Sequence, residues 1–125
     1  MSGQSAYFPD QVVIDAYGNG GFRFGGGGHR GSLLFLPSGV YGWDVAAMAD
    51  VDGAVCQRML NEAKSADFVL MGTGNKQIFA SAELSGLFDK ADLVLEVMDT
   101  GAACRTYNLM MEEKRAVMAA LIAVE

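Results

Sequence analysis

The stretch "DFVLMGTGNKQIFASAELSGLFDKADLVLEVMDTGAACRTYNLMMEEK" (Asp67–Lys114) decides the fold, because apolar runs of strand length alternate in it with segments of helical spacing. "DFVLMGTG" reads as a short buried strand that ends in a glycine-flanked loop. "SAELSGLFDKA" places Leu84, Leu87 and Phe88 on one helical face, with Ser81 as its cap. "DLVLEVMDT" is a second buried strand, and "ACRTYNLMMEEK" a second helix that either Asp99 or Thr100 can cap. The alanines of "RAVMAALIAV" permit a helix, but its place in this rhythm makes a final strand the expected reading. Strand–helix–strand repetition implies parallel strands joined by right-handed crossovers.

Working outward, residues 1–10 read as a flexible lead-in ending near Pro9, and residues 11–125 as a single α/β domain. "QVVIDAY" is β-rich, "GNGG" is a turn and "FRF" alternates, so an antiparallel hairpin is expected around Asn19. "GGGGHRG" reads as a second, flexible turn, and "SLLFLP" as a strand buried on both faces. A short strand is expected around Val40–Trp43, and a helix from Asp52 to Lys64 with Asp52 as its cap. The fold class is therefore α/β: a three-layer domain with a mixed, largely parallel sheet, helices packed on it and an N-terminal antiparallel hairpin region.

Composition narrows the function classes. A chain of 125 residues, half of them hydrophobic, has enough apolar surface to bury a core without covalent staples. A net charge of −6 with no run of Lys or Arg opposes nucleic-acid coating and docking on anionic membranes. Cys56 and Cys104 read as reduced thiols, and no Cys/His spacing suggests zinc or another cofactor. The first residues lack the pattern of a secretory signal or a transit peptide, and no apolar run approaches membrane-helix length. A bacterial-type cytoplasmic protein, not an integral membrane protein, is the expectation. Helical periods in the second half also oppose an outer-membrane barrel.

Three features carry the candidate chemistry. "MGTG" (Met71–Gly74) lacks the third glycine of a dinucleotide fingerprint and the Lys-Ser/Thr of a phosphate loop, so a tight turn is its plainer reading. Ligands nevertheless favour the carboxyl ends of strands in open α/β sheets, where Gly72–Gly74 and Asp99–Ala103 would both sit. Cys104, in the first turns of a helix, is a possible reactive thiol, and Thr100, Cys104 and Asn108 share one helical face. Its only histidine partner would be His29, expected to be a solvated turn residue, so a packed inert thiol is favoured. Arg23, Arg30, Arg105 and Arg115 read as scattered and solvated, Tyr107 and Met111 as core, and Tyr41 and Trp43 as partly buried.

Taken together, "GGFRFGG", "GSLLFLPSGVYGW", "DFVLMGTG" and "EVMDTGAACRTYNLMMEEKRAVMAALI" resemble a family of domains of unknown function. That family includes the mitochondrial complex I (NADH:ubiquinone oxidoreductase) assembly factor 3 and the adipogenesis-associated domain protein. The resemblance spans roughly Val13 to Ile122 and implies a compact three-layer α/β domain with a mixed sheet and a final strand. It also implies an accessory binding protein without established catalysis or cofactor, one that assists assembly of a respiratory complex. Respiratory-complex subunits or other assembly factors would be its partners. The family's pocket signatures correspond to Gly72, Thr73, Gly74, Thr100, Thr106 and Asn108. The alternative is a binding protein or enzyme for a small anionic molecule, using a crevice at the carboxyl ends of the strands.

Overall fold

Residues 6–125 are described by a computed structural model of the chain. Five strands form a mixed central sheet in the order β5-β4-β8-β6-β7. They are β4 (Leu33–Leu36), β5 (Gly39–Gly42), β6 (Phe68–Gly72), β7 (Val94–Met98) and β8 (Val117–Leu121). β6 runs parallel to both β7 and β8, whereas β4 is antiparallel to β5 and β8. The expected final strand is β8, and it lies at the centre of the sheet with five buried residues.

Alternation along the central strands sorts the core into two layers. Leu34, Leu36, Val69, Met71, Met118 and Ala120 face α1 (Gln57–Asn61) and α2 (Ala82–Lys90). Leu33, Phe35, Leu70, Val117, Ala119 and Leu121 face α3 (Thr100–Glu112) and the N-terminal sheet. This is a two-residue period with both faces covered, so the strands read as continuous apolar runs.

The helix starts follow the sequence reading. Ser81 Oγ accepts the Leu84 N–H, and Asp99 Oδ1 accepts the Ala102 N–H. Each satisfies an amide that has no partner within the helix. Asp52 Oδ1 also accepts the Val55 N–H, but the expected long helix from Asp52 to Lys64 is broken. Only Gln57–Asn61 is α-helical, and a separate 3₁₀ turn follows at Ala63–Ser65. Tyr41 and Trp43 are more buried than expected, because Trp43 donates its indole N–H to the Val55 carbonyl and lies in the helix-facing core.

The N-terminal region departs most from expectation. A three-stranded antiparallel sheet is built from β1 (Ala16–Gly18), β2 (Gly21–Phe24) and β3 (Gly27–Arg30). The Asn19–Gly20 turn is as expected, with φ of 53° and 80°. The glycine run is not one long flexible turn. Gly25 and Gly26, at φ of 58° and 84°, form a second two-residue turn, and the remainder is strand β3. Both turns have the positive φ pair that matches strand twist. His29 is therefore a strand residue, its ring stacked 5.1 Å from Tyr7 and 4.8 Å from Phe24.

Of "QVVIDAY", only its last two residues lie in a strand; Asp15 donates its N–H to the Arg23 carbonyl, and the residues before it are held through side chains. Asn108 accepts the Ile14 N–H through Oδ1 and donates to the Ile14 carbonyl through Nδ2, as a neighbouring strand would. Tyr107 donates to the Val12 carbonyl, and Gln11 to that of Val117. The expected lead-in falls partly on residues 1–5, which lie outside the described residues. Beyond them, Tyr7 donates its N–H to Val40, and Phe8 pairs with Val40 in an isolated bridge.

Candidate functional site

The carboxyl ends of β6 and β7 bring the Gly72–Gly74 loop against the start of α3. A Cβ at Gly72 would sit 2.9 Å from both Cα and Oγ1 of Thr100, so glycine permits this approach. Thr100 is fully buried. Its hydroxyl donates to the Ile122 carbonyl at 2.7 Å and accepts the Gly74 N–H at 3.0 Å. The Gly74 carbonyl in turn accepts the Thr100 N–H. The amide that would have met an anion is thus bonded within the protein.

Thr73 turns the same economy on the following loop. Its hydroxyl donates to the Lys76 carbonyl and accepts the Ile78 N–H. Gln77 adds a bond from Nε2 to the Val97 carbonyl on the exposed edge of β7. The loop from Gly74 to Ala80 is consequently tied at three points, and it presents Ile78 and Phe79 outward. Phe79 is 78% exposed, the most open large apolar side chain among the described residues. Beside it, Met48, Val51 and Leu84 line a groove of about 450 Å³.

The other candidates lie further along α3. Asn108 is eight residues beyond Thr100, about 12 Å along the axis, and both its amide groups are committed to Ile14. It lines a cleft of about 310 Å³ with Asp15, Tyr17, Cys104 and Arg105. Thr106 is half-buried on the same helix. Of the six candidates, Asn108 alone lines any of the five best-formed clefts, which range from about 80 to 540 Å³.

Cys104 sits in the second turn of α3, but burial outweighs the helix end. Desolvation pushes its thiol up to about 12, with Arg105 lowering it and Asp99 raising it by smaller amounts. Cys56 is pushed up to about 11, by burial and then by Asp52. Burial of both side chains favours the protonated thiol at neutral pH. Among the described residues, no group of three or more His, Cys, Asp or Glu could hold a metal ion.

Two features escaped the sequence reading. The Ile78–Phe79 pair was visible as an apolar step inside a polar loop ahead of a helix cap. Arg23 and Arg30 are not scattered: with the turn at Gly25–Gly26, the register pairs Arg23 with Gly28 and Arg30 with Gly21. That puts both arginines on one sheet face.

Comparison with known proteins places the chain. Residues 14–122 match the model of a family described as a protein of unknown function (DUF498/DUF598). The chain belongs to this family. The rat NADH dehydrogenase [ubiquinone] 1 alpha subcomplex assembly factor 3 is 30% identical over 92% of the chain, which spans 62% of that protein's length. An uncharacterised protein of Rhodobacter capsulatus is 31% identical over 98% of the chain and 93% of its own. Among solved structures, a Bartonella henselae protein described as an outer membrane protein shares the fold with a TM-score of 0.91 and 42% identity. It covers 95% of this chain and all of its own. In the DUF498 chain described here the five-stranded sheet is open, with β5 and β7 as its edges. No helix among the described residues is long and apolar enough to cross a membrane.

Proposed function

We propose that this DUF498 protein is a cytoplasmic accessory factor that binds a subunit of a respiratory complex during assembly, without catalysing a reaction. Kinship with assembly factor 3 over 92% of the chain supports this class of partner. The observation that carries the reading is Phe79, 78% exposed on a loop tied down by Thr73 and Gln77. A rigid exposed aromatic beside an apolar groove is the arrangement of an interface hot spot, because little ordering entropy is lost when a partner covers it. On this reading Gly72, Thr73, Gly74 and Thr100 position the contact loop, and Asn108 and Thr106 belong to its supporting helix. The partner is a subunit whose own apolar interface is still uncovered, which Phe79 and its groove would shield until the next subunit arrives.

The test is crosslinking in cells of a bacterium that carries the chain, followed by purification of the tagged protein. Respiratory-complex subunits or assembly factors should be recovered with the wild type. Phe79→Ala should weaken that capture on the order of thirtyfold, as for a hot-spot aromatic. Recovery of no respiratory component, or equal recovery with Phe79→Ala, overturns the proposal.

A further inference from the structure

The two faces of the N-terminal sheet differ in what they bear. Phe22 and Phe24 point into the core, so alternation sends Arg23 to the opposite, outer face. Its row is completed by Ala16 and Gly28, and the next row is Gly18, Gly21 and Arg30. Two arginines on adjacent strands therefore stand over a floor with one methyl group and no larger side chain. Gly21 is held to glycine sterically, since a Cβ there would run into the His29 carbonyl. Arg23 lays its stem along the floor, its Cγ 3.7 Å from the Cβ position of Gly28.

Together these residues form a cleft of about 260 Å³, rimmed by Tyr17 and Asn19. The sole ion pair among the described residues joins Arg115 to Glu113, so neither Arg23 nor Arg30 has a carboxylate partner there. Arg30 makes one long contact, donating from Nη1 to the Asn19 carbonyl at 3.4 Å. The Glu125 carboxylate and Arg30 Nη1 flank the same point, 3.9 and 3.5 Å from the Cβ position of Gly20, without forming an ion pair. In a chain of net charge −6, Arg23 and Arg30 make a local positive site on bare backbone, with Glu125 beside Arg30 but outside ion-pair distance. Planar forked donors match phosphate oxygens, two bonds at a time.

We propose that this cleft binds a phosphate group, gripped by Arg23 and Arg30 while the rest of the molecule lies on the Gly18–Gly21–Gly28 floor. A cleft just below the roughly 300 Å³ of the smallest drug-sized sites suits a phosphate monoester or headgroup rather than a nucleotide. The site shares no residue with the Phe79 loop and lies on the other side of the five-stranded sheet.

Its test has a soluble arm and a vesicle arm. In the first, inorganic phosphate and glycerol 3-phosphate are titrated into ¹⁵N-labelled protein at constant ionic strength. The Gly21 and Gly28 amides should shift saturably, and Arg23→Gln or Arg30→Gln should each weaken binding roughly tenfold or more, as loss of charged hydrogen bonds does. In the second, the protein is sedimented with phosphatidylcholine vesicles with and without phosphatidic acid, and binding should depend on the same arginines if the phosphate is a lipid headgroup. Arg115→Gln changes net charge equally at the opposite end of β8, and should leave either binding intact. Saturable binding in one arm identifies the source. Linear shifts without vesicle binding, or equal loss with Arg115→Gln, overturn the proposal.

Discussion

Replacing Thr100 by Val tests how the loop–helix junction is held. The side chain is fully buried, and valine keeps its volume while removing the hydroxyl. Two backbone groups then lose their partner: the Gly74 N–H, bonded at 3.0 Å, and the Ile122 carbonyl, bonded at 2.7 Å. The Gly72 Cα lies against Thr100 with no room for a Cβ, so water has little access to replace the lost bonds. An unsatisfied buried polar group costs about 1–3 kcal/mol, giving about 2–6 kcal/mol for the pair. With an unfolding entropy of about 2.1 cal/mol/K per residue, 3 kcal/mol in a chain this long lowers Tm by about 11 °C.

Urea unfolding followed by far-ultraviolet circular dichroism measures the effect, with an unchanged m-value confirming that the folded state is comparable. Thr100→Ser, which retains the hydroxyl and loses one methyl, should cost only about 1 kcal/mol. The contrast is decisive. A Thr100→Val protein within about 0.5 kcal/mol of wild type, or one no worse than Thr100→Ser, would refute the claim that the hydroxyl organises the junction.

Two further outcomes follow from other parts of the molecule. Because both thiols have folded-state values above the ordinary 9.0, the unfolded chain loses those protons first as pH rises. Their stabilisation is complete below about pH 9 and falls above it, by about 1.4 kcal/mol per pH unit for each thiol until its folded-state value is reached. Tyr107, raised by burial, adds to the decline above its ordinary value of 10.0. Cys104→Ala should flatten this alkaline slope, and iodoacetamide should label native Cys104 slowly at neutral pH; rapid labelling would contradict the burial argument. Asn108→Leu removes both bonds to Ile14, so the Ile14 amide should lose hydrogen-exchange protection and stability should fall by about 1–3 kcal/mol. Protection unchanged at Ile14 would show that the segment is held by packing alone.

The βα half was legible because its two periods differ. Val69, Leu70 and Met71 form an unbroken apolar run, whereas Leu84 and Phe88 recur at helical spacing. That the Gly72–Gly74 loop meets the α3 start also follows from β6 and β7 being parallel neighbours. What the sequence could not show is that Thr100 spends its hydroxyl on Gly74 and Ile122, since the second bond needs the register of β8. The glycine-rich hairpin was opaque for another reason: residues 25–28 have no side chains to alternate, so strand and turn look alike until pairing is known. Asn108 is the extreme case, its bonds to Ile14 spanning 94 positions along the chain. Local pattern carries no trace of such a contact.

The short segment after β8 explains why two separate surfaces can rest on one small scaffold. Ile122 donates its N–H to Gly72 and accepts the Thr100 hydroxyl, which fixes the base of the loop that carries Phe79. One residue on, Ala123 donates to Ser32 Oγ, which itself donates to the Val45 carbonyl. Val124 then accepts the Gly20 N–H, anchoring the turn between β1 and β2 below Arg30. Three consecutive residues therefore hold both the Phe79 loop and the arginine-bearing sheet. Damage to this segment, by Thr100→Val or by truncation, would perturb both surfaces and could not separate them. Phe79, Arg23 and Arg30 are exposed and make none of its hydrogen bonds. Substitutions there remove a contact without loosening the scaffold, so loss of one binding activity with retention of the other can be read as a property of that surface.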